Sequence, residues 1–141
     1  MTTLPTVFIT GASSGIGATY AERFARRGHD LVLVARNKSR LDALAMRLRE
    51  QHQIAVEVLQ ADLTNSAELP ALETRLRHDA RIGILINNAG MPQSGHFLEQ
   101  SPEAIESQIA LNITALTRLA AAIAPRLAQS GTGSTVHTGA R

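Results

Sequence analysis

Gly11, Gly15 and Gly17 follow the apolar run Val7-Phe8-Ile9 with only Thr10 between. A strand that empties into a glycine loop and then into a helix makes a phosphate cradle. Gly11 permits the tight turn out of the strand, Gly15 lets the backbone come close to a pyrophosphate, and Gly17 lets the next helix pack closely on the sheet. That helix is expected from about Ile16 to Arg27, with Gly28 as its C-cap. Its first turn presents unpaired N–H groups and a partial positive charge to an anion. The spacing is Gly-x-x-x-Gly-x-Gly, and the chemistry it suits is the binding of a nucleotide cofactor.

Roughly 20 residues beyond such a loop, the chain meets the adenosine ribose. Here it reads Ala35-Arg36-Asn37-Lys38, with no carboxylate to bind a 2′-hydroxyl. Arg36 suits the 2′-phosphate of NADP(H) through charge-assisted hydrogen bonds, supported by Lys38 and Arg40, so NADP(H) is expected ahead of NAD(H). The alternative is that Arg36 is simply a solvated residue after a strand. Asn87-Asn88 follows the buried run Ile82-Gly83-Ile84-Leu85-Ile86, where tandem amides satisfy backbone groups between strands. Asp62, in Gln60-Ala61-Asp62-Leu63, is also of a type that makes an Asx turn or a helix N-cap.

The elements that must position these residues alternate. Strands are expected at 6–10, 31–35, 54–59, 82–86 and 134–138, and helices at 16–27, 38–51, 66–79 and 103–128. Alternation of this kind implies right-handed βαβ units and a parallel sheet, with strand order 3-2-1-4-5 and a ligand across the carboxyl ends where the order reverses. Near-continuous apolar strands such as Leu31-Val32-Leu33-Val34 suit a sheet covered on both faces. The last helix carries Ile105, Ile109, Leu116, Leu119, Ile123 and Leu127, a stripe much of which is expected to face the sheet. The fold class is therefore α/β, a Rossmann-like doubly wound sheet, in a single domain spanning 1–141.

Four motifs in this order resemble the short-chain dehydrogenases/reductases: the loop Thr10 to Gly17, Asp62-Leu63, Asn87-Asn88-Ala89-Gly90, and Asn112. The resemblance covers the whole chain but only the N-terminal, cofactor-binding part of that family's domain. It implies an oxidoreductase that moves hydride between nicotinamide and a small alcohol/carbonyl substrate. It implies cofactor contacts from Thr10, Gly11, Ser13, Ser14, Gly15, Ile16 and Gly17, and an adenine contact from Asp62 with Leu63 lining the ring. Asn87 would brace the sheet while the backbone of Asn88, Ala89 and Gly90 lies along the cofactor. Asn112 would hold a water that relays protons to the catalytic lysine, and Met91 to Phe97 would meet substrate. The family's dimer interface uses the last helix, so the full-length form is expected to be a homo-oligomer. One departure concerns Ser14, where many NADP-type relatives carry a basic residue.

The remaining departures concern catalysis. The family donates a proton from Tyr in Tyr-x-x-x-Lys and polarises the carbonyl with Ser. This chain has one tyrosine, Tyr20, and one lysine, Lys38, and Ala140 falls where the serine belongs. Tyr20 is expected to pack, and His137 to be incidental. The sequence is thus expected to be the cofactor half of a longer enzyme, inactive alone, with its fifth strand left as an unpaired edge and the isolated chain weakly stable or self-associating. The alternative is a non-catalytic nucleotide-binding or interaction module that docks through helix 103–128.

Composition narrows the classes. The 141 residues are 44% apolar with a net charge of +2. The thirteen arginines are spread along helices and only four residues are aromatic, which argues against nucleic acid as a partner. No cysteine is present, so there is no thiol chemistry, in keeping with a reducing cytoplasm. No uninterrupted apolar run approaches the ~18 residues of a membrane helix, and no signal peptide is evident, so no membrane association is expected.

Overall fold

A computed structural model describes residues 3–13, 15–89, 99–131 and 133–137. Five parallel strands, β1 (Thr6–Thr10), β2 (Leu31–Ala35), β3 (Val56–Gln60), β4 (Ile82–Asn87) and β5 (Ser134–His137), form one sheet in the order β3-β2-β1-β4-β5. Every turn from strand to strand is bridged by helix: α1 (Gly15–Arg26), α2 (Lys38–His52), α3 (Leu69–His78), then α4 (Pro102–Ile109), a π-helical turn (Ala110–Ala115) and α5 (Leu116–Ser130).

Alternation along the strands divides the core into two layers. Val7 and Ile9 of β1 and Leu31 and Leu33 of β2 pack with Ala21, Ala25, Leu41 and Leu48 of α1 and α2. Phe8, Val32 and Val34 point the other way, onto Leu72 and Leu76 of α3 and Leu119 and Ile123 of α5. All five residues of β2 are buried, as a strand covered on both faces must be. A one-residue slip would exchange the two layers, so the alternation itself fixes the register.

Two elements start two residues or more later than expected, each for a local reason. β3 starts at Val56 rather than 54 because the Ala55 N–H goes to the Asp30 carboxylate, at 2.9 Å, just after Gln53 turns through φ 56°. α3 starts at Leu69 rather than 66. The Asn65 side chain accepts the Ala67 N–H at 3.0 Å, its carbonyl accepts the Glu68 N–H at 3.0 Å, and Pro70 sits in the helix's first turn. The end of the expected 134–138 strand, Thr138, lies outside the described residues, as do Ala140 and Met91 to Phe97, the stretch expected to meet substrate.

The last helix holds the largest departure. It runs unbroken from Pro102 to Ser130, but a wide π turn interrupts its rotation. Ile109, expected to face the sheet, is 49% exposed, while Leu111, Ala115, Leu119, Ala122 and Ile123 are buried. At 29 residues this helix is also long and apolar enough to cross a membrane by length and composition, which counting uninterrupted apolar runs did not reveal. From the π turn onward it lays one face, Leu111, Ala115, Leu119, Ala122 and Ile123, into the core. Arg118 pairs with Glu73 of α3, and the Arg126 guanidinium donates to the Leu76 and Ile82 carbonyls at 2.9 and 2.8 Å. Tyr20 packs as expected, stacked on Phe24 with ring centroids 6.4 Å apart.

Candidate dinucleotide-binding site

The strand order reverses between β1 and β4, and the loops leaving their carboxyl ends diverge there. Across those ends lies a cavity of about 570 Å³. Its wall is built from four loops: Gly11 and Ser13 after β1, Arg36, Asn37 and Arg40 after β2, Asp62, Leu63 and Thr64 after β3, and Asn88 and Ala89 after β4. Leu111 closes the wall from the π turn.

The glycines have three different reasons to be glycine. Gly11 turns through φ +64°, and a Cβ there would lie 2.8 Å from the Ala89 Cα, so β1 and the β4 loop touch at that point. Gly15 turns through φ +59° with nothing within 4 Å of its missing Cβ. The backbone there is open toward whatever binds. Gly17 is the most crowded: a Cβ would lie 2.1 Å from the Gly11 carbonyl oxygen and 2.5 Å from Asn88 Nδ2. It therefore lets α1 close on the loop itself as well as on the sheet.

Thr10 is fully buried. Its hydroxyl accepts the Asn88 and Ala89 N–H groups, both at 3.0 Å, and donates to the Ile86 carbonyl at 3.4 Å. Thr10 thus shapes the site from behind its wall. Asn88 Nδ2 donates to the Gly11 carbonyl at 3.2 Å, which ties the two loops together. Asn87 is buried too, but its amide reaches across to the Leu116 carbonyl at 3.1 Å, so it holds the helix as well as ending a strand.

Charge is unevenly placed. Arg36, on the β2–α2 loop, and Arg40, in the first turn of α2, line the cavity, and the loop Arg36-Asn37 carries no acid. Lys38 does not join them: it pairs with Asp42 at 2.7 Å. Asn37 caps α2, its Oδ1 accepting the Arg40 N–H at 3.1 Å. Asp62 lies opposite. The Thr64 hydroxyl donates to it at 2.6 Å and holds its carboxyl below the usual carboxylate range. Burial opposes this, while the Thr64 N–H, at 2.9 Å, and the positive field of Arg36 add to it. Asp62 is therefore an ionised acceptor with one oxygen engaged in an Asx turn, the local alternative the sequence left open.

Of the residues singled out in the sequence, the cavity wall gathers Gly11, Ser13, Arg36, Asp62, Leu63, Asn88 and Ala89. Ile16 stands 54% exposed at the start of α1, beside Gly15. Asn112 is half-buried in the π turn, one residue beyond Leu111. Ser14 and Gly90 lie outside the described residues. Sequence reasoning missed Leu111 and Thr64. Thr64 had a signal, because an Asx turn at Asp62 takes the backbone N–H two residues on and so brings the Thr64 hydroxyl beside the carboxylate. Leu111 had none, since its direction depends on the π turn. Among the described residues, no group of His, Asp and Glu side chains is placed to hold a metal ion.

Comparison with known families settles the lineage. The sequence model of the short-chain dehydrogenases matches residues 5–140. The chain belongs to that family. It is 38% identical over 138 residues to a sulfoacetaldehyde reductase of Chromohalobacter salexigens, covering 92% of this chain and 51% of that one. Among solved structures, a short-chain dehydrogenase from Sphingobium yanoikuyae in complex with NADPH superposes with a TM-score of 0.94 at 74% identity, covering 96% of this chain and 53% of that one. A bulky-bulky ketone specific alcohol dehydrogenase from Comamonas testosteroni superposes at 0.95 with 63% identity, covering 98% and 55%. The chain spans about half or less of the length of the curated relatives it matches.

Proposed function

We propose that this chain is the NADP(H)-binding part of a short-chain oxidoreductase that interconverts an alcohol and a carbonyl. The observation that carries the reading is the pair Arg36 and Arg40 on the cavity wall, with no acid on the loop Arg36-Asn37 and the one acid of the next turn, Asp42, taken up by Lys38. Support also comes from the 74%-identical structure, which is a complex with NADPH. The residues present fit the group. The cavity is long enough to join four loops, Gly15 leaves open space at a helix N-terminus, and the donors beside Arg36 are cationic.

Each residue has a task that its chemistry allows. Arg36, with Arg40, pairs with a 2′-phosphate through a planar fork of N–H donors. The first turn of α1, from Gly15 through Ile16 to Gly17, offers N–H groups and the positive end of the helix dipole to the pyrophosphate. Ser13 and its neighbour Ser14 are placed in sequence to add hydroxyls. The free oxygen of Asp62 accepts from an exocyclic amino group, with Leu63 as an apolar floor. The Asn88-Ala89 backbone, whose N–H groups Thr10 holds, would offer itself to the cofactor, with Gly90 next in sequence as the resemblance implies. When bound, the nicotinamide supplies the hydride.

Asn112 is proposed to orient a water for proton relay. The sequence holds no Tyr-x-x-x-Lys: its single tyrosine, Tyr20, is packed on Phe24 and its single lysine, Lys38, is paired with Asp42. We therefore propose that the chain alone binds dinucleotide without turning it over, and that reduction of a small carbonyl, like assembly into homo-oligomers, belongs to a longer form.

The test is a fluorescence titration with NADPH and NADH. The 141-residue chain should bind NADPH more tightly. Arg36→Ala should weaken NADPH by roughly tenfold or more while leaving NADH within about twofold, as expected for loss of charge-assisted bonds worth about 1.5–3 kcal/mol. Equal affinity for both dinucleotides before and after the substitution would sink the NADP(H) assignment.

A further inference from the structure

The buried amide of Asn87 points away from the cavity and is nevertheless coupled to it. Its Nδ2 donates to the Leu116 carbonyl at 3.1 Å. Leu116 is the first residue after the π turn Ala110–Ala115. That turn decides which side chains face inward. Upstream of it, α4 buries none of its residues. From the turn onward, Leu111, Ala115, Leu119, Ala122 and Ile123 all face the core. Leu111 is 8% exposed, packs in the same apolar cluster as Leu63 and Ala61, and stands with them on the wall of the nucleotide cavity.

A π turn has poorer hydrogen-bond geometry than an α-helix and persists where surrounding contacts fix it. At its downstream end, the fixed point is the end of β4, through Asn87. The next residue, Asn88, is bonded to the Gly11 carbonyl at 3.2 Å. One dipeptide therefore holds both the helix that carries Leu111 and the loop that carries Gly11.

We propose that Asn87 is a positioning residue for the nucleotide cavity, acting through the Leu116 carbonyl to hold the π turn so that Leu111 seats in the cavity wall. Sheet bracing, which the resemblance assigns to this residue, does not require a bond to the helix. The inference rests on the NADP(H) reading, and its test separates the two.

The test is a double-mutant cycle on NADPH affinity with Asn87→Asp and Leu111→Ala in the 141-residue chain. Asn87→Asp keeps the shape, removes the N–H donor and sets a carboxylate against the Leu116 carbonyl. Each single substitution should weaken NADPH binding by about fivefold or more, the least being the scale of one buried hydrogen bond or one truncated wall contact. Because both act through the same seat, the double variant should bind no more than about twofold weaker than either single variant. If the two losses multiply, or if Asn87→Asp binds as tightly as the parent, the inference is wrong while the NADP(H) reading stands. If the parent itself binds no NADPH, both fall. Ile123→Val, a core trimming in α5 away from the cavity, should lower stability without moving NADPH affinity, so that a general loss of stability is not mistaken for the effect. Should Asn87→Asp fail to fold, Asn87→Ser takes its place in the cycle under the same criterion.

Discussion

Substituting Gly17 by Ala tests whether the glycine loop is held by packing or only by conformational freedom. A Cβ at this position would lie 2.1 Å from the Gly11 carbonyl oxygen, 2.8 Å from the Gly11 carbonyl carbon and 2.5 Å from Asn88 Nδ2. Two of these three atoms are backbone and cannot swing aside. Relief to an ordinary contact of about 3.5 Å requires the first turn of α1 to back away from the loop by about 1.4 Å. That movement strains the Asn88–Gly11 hydrogen bond, now 3.2 Å. Overpacking of this kind costs about 1–3 kcal/mol, and a lost buried hydrogen bond about 1 kcal/mol more. The expected loss is therefore about 2–4 kcal/mol, read as a shift of the urea midpoint at unchanged slope. NADPH affinity should fall by about tenfold or more, since the displaced turn is the one proposed to face pyrophosphate. Gly15→Ala is the contrast. Nothing lies within 4 Å of its Cβ, and only φ +59° opposes it, at about 1 kcal/mol. If Gly17→Ala costs no more than Gly15→Ala, the reasoning from contact geometry fails.

Two further outcomes follow from the electrostatics. The Arg81 guanidinium, at 2.9 Å, holds the Asp79 carboxyl far below the usual range, burial opposes it, and Arg75, at 2.7 Å, adds to it. A depressed folded-state value means that the unfolded chain takes up the proton first. The stabilisation from Asp79 is thus complete above about pH 4–5 and lost as pH falls below the ordinary carboxylate value. Asp79→Asn should flatten the acid limb of stability against pH between about pH 5 and 2, and an unchanged limb would refute the role given to this cluster. Thr64→Val removes the largest cause of the low Asp62 value, so the Asp62 carboxyl should titrate at higher pH in a carbon-detected NMR titration. An unmoved titration would mean that the hydroxyl bond does not govern it.

The sheet was legible because its strands are nearly all apolar and its turns carry glycine or proline at the places geometry demands. Val7-Phe8-Ile9 and Leu31-Val32-Leu33-Val34 admit few other readings once a glycine loop follows the first. Strand ends were less legible, since Asp30 and Asn65 divert backbone N–H groups through their side chains, and only proximity reveals that. The site divided along the same line. Arg36 and Asp62 were readable because each sits at a strand end, where chemistry faces the ligand. Leu111 was hidden because no residue pattern signals a π turn, and the period of 3.6 assigns Ile109 to the sheet although it is 49% exposed.

The fold also explains why one small dipeptide, Asn87-Asn88, reaches so many parts of the site. β4 lies between β1 and β5, and its carboxyl end stands where the sheet order turns back. Alternation at a strand end sends consecutive side chains in opposite directions. Asn87 therefore reaches the helix layer on one face, at the Leu116 carbonyl, and Asn88 reaches the glycine loop, at the Gly11 carbonyl. The Asn88 and Ala89 N–H groups are left to Thr10, from the neighbouring strand. Asparagine suits both places because its amide donates without bringing a charge into a buried setting, where a carboxylate would face carbonyl oxygens and a lysine would lack a partner. A substitution at either position that keeps size but loses the donor should therefore register at the cavity before it registers in the sheet.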